Sequence, residues 1–409
     1  MKYKKEIIIT VFITIMILFL KKINVFQIEN RLGNPLSLLL MILLFSIFTI
    51  YIQNKIDQNI QKRQRNYENL DLLKYISSIL IIILHLRPFQ NDSSQLDLVF
   101  NNIITRICVP IFFIITGYFV AKKEKENPNY ITNYIKKMIP LYLFWSLLYV
   151  PFLIQAIIQN WSIIEPYFLK LPLSFPMTIM LLILLAPIAL LVLLLYSGVY
   201  YHLWYFPAVI LSLLVLKKWK EKFHVTSLFI LSFFFLLFGA TETYYGVLPE
   251  SIQSLLDYYY TIFFTTRNFL FFGLFYIVFG YQIGQKKQVS ASYCFEKLIF
   301  SVFLLIFEAL LLHDHHRLNS NILLSCVPLV YYLFLTFLYL PKHHHRKVLF
   351  RELSKYYYLI HPMIISLLLT FHPSIRTQPL RSLIIVFLLT HISSCLIIKG
   401  KKIKKGGLL

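Results

Sequence analysis

Apolar residues in this sequence come in long runs separated by short charged loops. The runs lie at about 6–20, 35–52, 70–88, 103–120, 139–158, 172–196, 200–216, 226–240, 264–284, 294–312, 321–340, 352–370 and 380–398. Most approach the ~20 residues that an α-helix needs to cross a bilayer. The pattern predicts an all-α polytopic membrane protein. The loops give its direction. "KYKK", "NKIDQNIQKRQRN", "AKKEKENPNYITNYIKK", "KKWKEK", "GQKKQ", "PKHHHRKVLFR" and "KGKKIKKGG" are basic and are placed on the cytoplasmic side. "RPFQNDSSQLD", "TETYYGVLPESIQSLLD" and "HDHHRLNS" carry the acids and are placed outside. Between the loop ending at Lys137 and "KKWKEK" the chain must cross an even number of times, yet three runs lie there. The run 172–196 is therefore expected to be re-entrant or interfacial. About twelve spans result: two N-terminal transmembrane helices with a cytoplasmic linker (1–69), ten helices in a membrane core (70–398), and a basic cytoplasmic tail (399–409). Both termini face the cytoplasm of a multi-pass protein in the cell membrane.

Composition strengthens this reading. Of 409 residues, 58% are hydrophobic and only 14% charged, more apolar surface than a soluble domain can bury. The net charge of +22 raises the question of a polyanionic partner. The lysines and arginines, however, sit in short clusters between apolar runs, as the positive-inside rule and anionic headgroups require. The expected partner is the lipid bilayer, not nucleic acid. Cys108, Cys294, Cys326 and Cys395 lie in or beside apolar spans without paired spacing and are expected to be small core hydrophobes. Residues 1–20 begin like a signal sequence, but no small-residue cleavage site follows, so they are read as a retained first span.

One span carries chemistry. In "DLLKYISSILIIILHLRPFQ" (71–90), Lys74 lies at the cytoplasmic end and His85 eleven residues on. Helical rise puts His85 about 16 Å deeper, toward the outer leaflet. Asp71 and Lys74, three apart, are placed to pair at the inner surface. An ionisable group within a span faces a cavity or a partner, which marks His85 as a functional candidate; the bland alternative is a histidine satisfied by a neighbouring helix.

Lysine, ten residues, then histidine resembles the arginine, ten residues, histidine signature of the acyltransferase-3 family of membrane O-acyltransferases. "PIFFIITGYFV" (110–120), with Thr116 in place of the usual serine, "NYIKKMIPLYLFW" (133–145), "HLWYFPAVI" (202–210), "TRNFLFFGLFYIVFGYQIG" (266–284) and "YYLIHPMII" (357–365) resemble its later motifs in the same order. The resemblance covers residues 70 to about 398 and implies a ten-helix acyltransferase-3-like core preceded by two extra N-terminal helices. It also implies an acyl-CoA co-substrate, acetyl-CoA foremost, with no permanently bound cofactor and no metal. The acceptor is implied to be a hydroxyl, often of a sugar, on the extracytoplasmic side. Two departures bear on the donor. Lys74 replaces arginine, and a second basic pair is reduced to Lys136 and Lys137; an ammonium keeps the charge but loses the bidentate fork for phosphate.

On that reading Lys74, Lys136 and Lys137 bind the donor, and His85 acts as general base or carries the acyl group covalently. Arg87, Tyr118, Trp204, Arg267, Asn268 and Glu308, near outer ends of their spans, are the candidates to stabilise the oxyanion or hold the acceptor, with interfacial anchoring or helix–helix bonding as the bland alternatives. His361, before Pro362, is assigned a structural role at a kink. "HDHH" (313–316) lacks a further ligand for zinc, and "KHHHRK" (342–347) reads as headgroup-facing charge. The acceptor stays open among cell-wall glycan, exported polysaccharide, lipid-linked sugar, glycopeptide and a small amino-acid-like molecule, with an envelope-biosynthesis protein as a further partner. The competing functional class is a transporter or flippase, against which stands the lack of an internal repeat. A non-catalytic export subunit that retains the fold is the third.

Overall fold

The computed structural model describes residues 65–90, 94–162, 175–286, 294–313, 318–340, 347–373 and 377–406. The two expected N-terminal helices, residues 314–316 of the "HDHH" loop and residues 342–346 of "KHHHRK" lie outside the described residues. The described residues form α-helices and tight helical turns, with no strand among them. In chain order the helices are α1 (Glu68–Leu86), α2 (Cys108–Glu124), α3 (Tyr130–Gln159), α4 (Phe175–Val192), α5 (Tyr205–Trp219) and α6 (Val225–Tyr244). There follow α7 (Glu250–Phe263), α8 (Leu274–Gln285), α9 (Cys294–His313), α10 (Cys326–Tyr339), α11 (Lys347–Phe371) and α12 (Pro379–Gly406). A wide helical turn, Leu98–Ile103, and a tight one, Ile104–Ile107, lead into α2, and another wide turn, Phe269–Gly273, leads into α8.

Five helical stretches among the described residues are long and apolar enough to cross a membrane: Glu68–Leu86, Leu98–Glu124, Tyr130–Gln159, Val225–Val247 and Pro379–Lys401. Their outward positions are apolar and bare, with Leu147 on α3 71% exposed. Contiguous apolar surface of this kind marks a face covered by membrane or by another protein. With the basic loops between them, these helices make the chain a multi-pass membrane protein. Residues 175–192 form one continuous helix, and apolar side chains stand bare along α4. The acidic outer loop differs from expectation, because its second half folds into α7. Ile252, Leu255, Leu256 and Tyr259 recur at helical spacing there, but its 14 residues are too few to register as a span.

The chain divides into two compact units. The first takes the described parts of Met1–Ile111, Thr243–Glu250 and Gln288–Ser354. Here α10 packs against α9 and α1. The entry to α1 is fastened to the end of α10, since the Asn66 N–H donates to Leu338 O (2.8 Å) and the Asn69 amide to Leu340 O (3.0 Å). Those carbonyls belong to the last turn and exit of a helix and would otherwise lack donors. Helix α1 carries Glu68 and Asp71 in its first turn, where they complement the dipole, and stops at Arg87, which takes the left-handed conformation (φ 45°) before Pro88.

The second unit takes the described parts of Phe112–Glu242, Ser251–Lys287 and Lys355–Leu409. Helix α5 packs there against α3, α8 and the Phe269–Gly273 turn. The backbones of α2 and α8 meet at glycines. A Cβ on Gly117 would lie 2.0 Å from Ile277 O, and one on Gly280 would lie 2.1 Å from Ile114 O. A Cβ on Gly284 would come 2.7 Å from Tyr118 O. Gly280 and Gly284, four apart, give α8 the small face that lets membrane helices approach closely.

Candidate functional site

In the first unit, Lys74 Nζ donates to Asp71 Oδ1 at 3.3 Å, the pairing expected from the spacing. A third residue joins them. Arg351, in the second turn of α11, donates through Nε (3.1 Å) and Nη2 (2.9 Å) to Asp71 Oδ2. One buried carboxylate thus holds an ammonium and a guanidinium. Eleven residues at 100° each bring His85 back to within about 20° of the Lys74 direction, so both lie on one face of α1. His85 occupies the last turn of that helix and is half-buried.

Two other candidates of this unit have partners of their own. Arg87 donates to Asp97 at 2.6 Å, and Asn101 donates to the other oxygen of that carboxylate, also at 2.6 Å. Glu308 on α9 accepts from Tyr244 and from the backbone N–H groups of Leu324 (2.7 Å) and Ser325 (2.8 Å), just before α10 begins. A carboxylate beside a helix N-terminus satisfies orphan donors and the dipole together. Glu308→Ala should therefore cost about 2–4 kcal/mol in stability. Thermal unfolding of the detergent-solubilised protein would show the loss, with Glu308→Gln milder. A Glu308→Ala chain that unfolds at the wild-type temperature yet has lost activity would instead give Glu308 an acceptor-side role.

In the second unit, Trp204 packs against Phe113 and Phe272, and the Arg267 guanidinium carbon lies 5.4 Å from the Trp204 ring centre. This is cation–π geometry. Asn268 accepts from the N–H groups of Leu270 (2.9 Å) and Phe271 (3.1 Å), opening the turn that leads into α8. The loop carrying Arg267 and Asn268 is pinned by Glu242, whose buried carboxylate accepts from the Thr266 N–H (2.7 Å), the Thr266 hydroxyl (2.8 Å) and the Thr265 hydroxyl (2.9 Å). Glu242 was not singled out in the sequence, where "TETYYG" reads as outer-loop acid. Tyr118 is fully buried on α2 with the Lys122 ammonium 5.7 Å from its ring centre, so it stands at the end of the span that leads into the basic loop and not at the outer end expected; Lys136 and Lys137 are exposed on α3. Thr116 donates back to Phe112 O (2.8 Å) and meets the Tyr205 hydroxyl (3.2 Å).

A histidine missed in the sequence also lies in this unit. The buried His202 ring sits 4.7 Å from Tyr149, 5.5 Å from Tyr358 and 6.1 Å from His361, centre to centre. Its motif "HLWYF" directs attention to the tryptophan. The Tyr149 hydroxyl donates to Leu359 O (2.7 Å) and accepts from the Met363 N–H (3.2 Å), entering the α11 ladder beside Pro362. His361 Nδ1 bonds Tyr357 O (2.7 Å). A proline and an inserted side chain are the ordinary causes of a helix kink.

A family model described as an acyltransferase domain matches residues 67–399. Two curated proteins of Enterococcus faecalis, each named amino-acid racemase, are similar to this chain. One is 27% identical over 72% of the chain and 40% of its own length, the other 25% over 63% and 34%. A serine/alanine racemase of Enterococcus gallinarum is 26% identical over 82% of the chain and 46% of its own length. The chain thus spans less than half the length of these relatives. No solved structure matches.

Proposed function

The chain belongs to the acyltransferase-domain family of membrane proteins, and on that premise we propose that it moves an acyl group, acetyl foremost, from cytoplasmic acyl-CoA to an extracytoplasmic hydroxyl. The observation that carries this reading is one helix face with a cation held at its start and an imidazole in its last turn. Cationic groups at the inner end suit the donor's phosphates, and the donor's extended arm then reaches along α1. His85 takes the acceptor's proton, since an imidazole exchanges protons near neutral pH. The acceptor oxygen attacks the thioester carbonyl, the carbon–sulfur bond breaks, and the proton passes from His85 to the leaving thiolate. Alternatively, His85 accepts the acyl group itself and delivers it in a second step. The acceptor is placed among envelope or exported saccharides.

Inside-out membrane vesicles containing the protein, given labelled acetyl-CoA on the cytoplasmic face, test this. Label should appear in lumenal acceptors or on the protein. Vesicles that bind and consume no acetyl-CoA would sink the proposal.

The relatives' names favour a second reading. Two relatives named amino-acid racemase and one named serine/alanine racemase are similar to this chain over less than half of their own length, and on this second reading the membrane region serves a small amino acid by binding it or carrying it across. Serine also bears a hydroxyl and satisfies the acceptor requirement of the first reading. Labelled serine that accumulates in vesicles unmodified would select transport, whereas recovery as an O-acyl ester would select transfer.

A further inference from the structure

We propose that Arg351 is a donor-binding residue that restores, from α11, the planar fork for phosphate that Lys74 lacks. The inference rests on the acyl-CoA reading above. Its basis is the shared carboxylate. Asp71 Oδ1 takes the Lys74 ammonium and Oδ2 takes two N–H groups of Arg351. Asp71's side chain is 5% exposed while that of Arg351 is 66% exposed. The carboxylate is a buried post that aims an outward-facing guanidinium. Asp71 thus brings two cationic side chains, from α1 and α11, to one place. A guanidinium offers five N–H donors in a fixed plane, and two of those of Arg351 go to Asp71. An exposed guanidinium held in this way suits a phosphate oxyanion, which it can meet bidentately and an ammonium only as a point charge.

Position agrees with chemistry. Arg351 ends the basic stretch "PKHHHRKVLFR", and Lys74 and Asp71 follow the basic stretch "NKIDQNIQKRQRN". Both stretches are assigned to the cytoplasmic side, where an acyl-CoA resides. The orientation is fixed further by Tyr75, which packs its ring 5.1 Å from that of Phe350, the neighbour of Arg351. A structural ion pair would need neither the exposure of the guanidinium nor its placement beside the residue at the family's cationic position. The ligand class is a diphosphate-bearing thioester, bound through its phosphates. A lipid phosphate shares that chemistry and defines the control.

The test uses the full chain in nanodiscs of phosphatidylcholine and measures equilibrium binding of acetyl-CoA and of S-acetylpantetheine, which lacks the diphosphate and nucleotide. Arg351→Gln should weaken acetyl-CoA binding by about tenfold or more, the worth of a charge-assisted pair of bonds. S-acetylpantetheine binding should not change, and Arg351→Lys should recover part of the loss. Equal weakening of both ligands would mean a structural role and overturn the assignment, as would unchanged acetyl-CoA binding. If Arg351 holds a headgroup instead, Arg351→Gln will lose labelled phosphatidylglycerol on delipidation and keep acetyl-CoA, which also overturns it. A wild-type chain that binds no acetyl-CoA would instead fail the acyl-CoA reading itself, and this arm separates the two.

Discussion

His85→Ala chains, inserted at the wild-type level, should transfer acyl groups about 10²- to 10⁴-fold more slowly, the usual worth of a positioned general base. No other change should cost more in rate with so little cost to the fold. His85 sits in the last turn of α1, half-buried, so its truncation opens no large cavity. The measurement is label transfer from acetyl-CoA in inside-out vesicles, normalised to folded protein. A second variant separates two roles. His85→Gln keeps hydrogen bonding but can neither take a proton nor carry an acyl group, and it should match His85→Ala. Brief incubation without acceptor then distinguishes base from carrier: a carrier retains label on the wild-type protein that His85→Gln does not. Transfer at the wild-type rate in both variants would remove His85 from the chemistry.

The largest expected effect on stability is at the meeting of α2 and α8. Gly280→Leu must place a side chain where even a Cβ would lie 2.1 Å from Ile114 O, a backbone atom that cannot swing aside. The helices must separate, and the approach that their glycines permit is lost. Overpacking in yielding cores costs about 1–3 kcal/mol, and a backbone obstruction belongs at or above the top of that range. Heating the detergent-solubilised protein and following the monodisperse fraction by size exclusion would register a clear fall in midpoint. Gly400→Leu is the control, because nothing lies within 4 Å of a Cβ there. Equal midpoints for the two variants would show that α2 and α8 are not held at that distance.

Most helices of the described residues, with their approximate limits, were legible in the sequence because a bilayer demands about twenty apolar residues at a stretch and tolerates few interruptions. The same rule hid α7, which lies on one face of apolar spacing and is too short to cross. Within the candidate site, what was legible was local. Asp71 and Lys74 are three apart, and their pairing follows from helix geometry alone. Arg351 shares that carboxylate from the far end of the chain, and no periodicity links the two. Glu242 was obscured in another way. An acid in a loop between apolar runs reads as solvated, yet three donors from Thr265 and Thr266 bury it. His202 lies within "HLWYF", where aromatic neighbours in a membrane read first as belt or core.

The bonds that Asp71 makes also carry an order in time. Helix α1 leaves the ribosome long before α10 and α11, so for most of synthesis Asp71 has Lys74 and no Arg351, while Asn66 and Asn69 lack the carbonyls of Leu338 and Leu340. The first unit is completed only when these late segments dock on an early one. Nascent chains stalled before α10 therefore carry an α1 start whose bonds to Leu338, Leu340 and Arg351 have not yet formed.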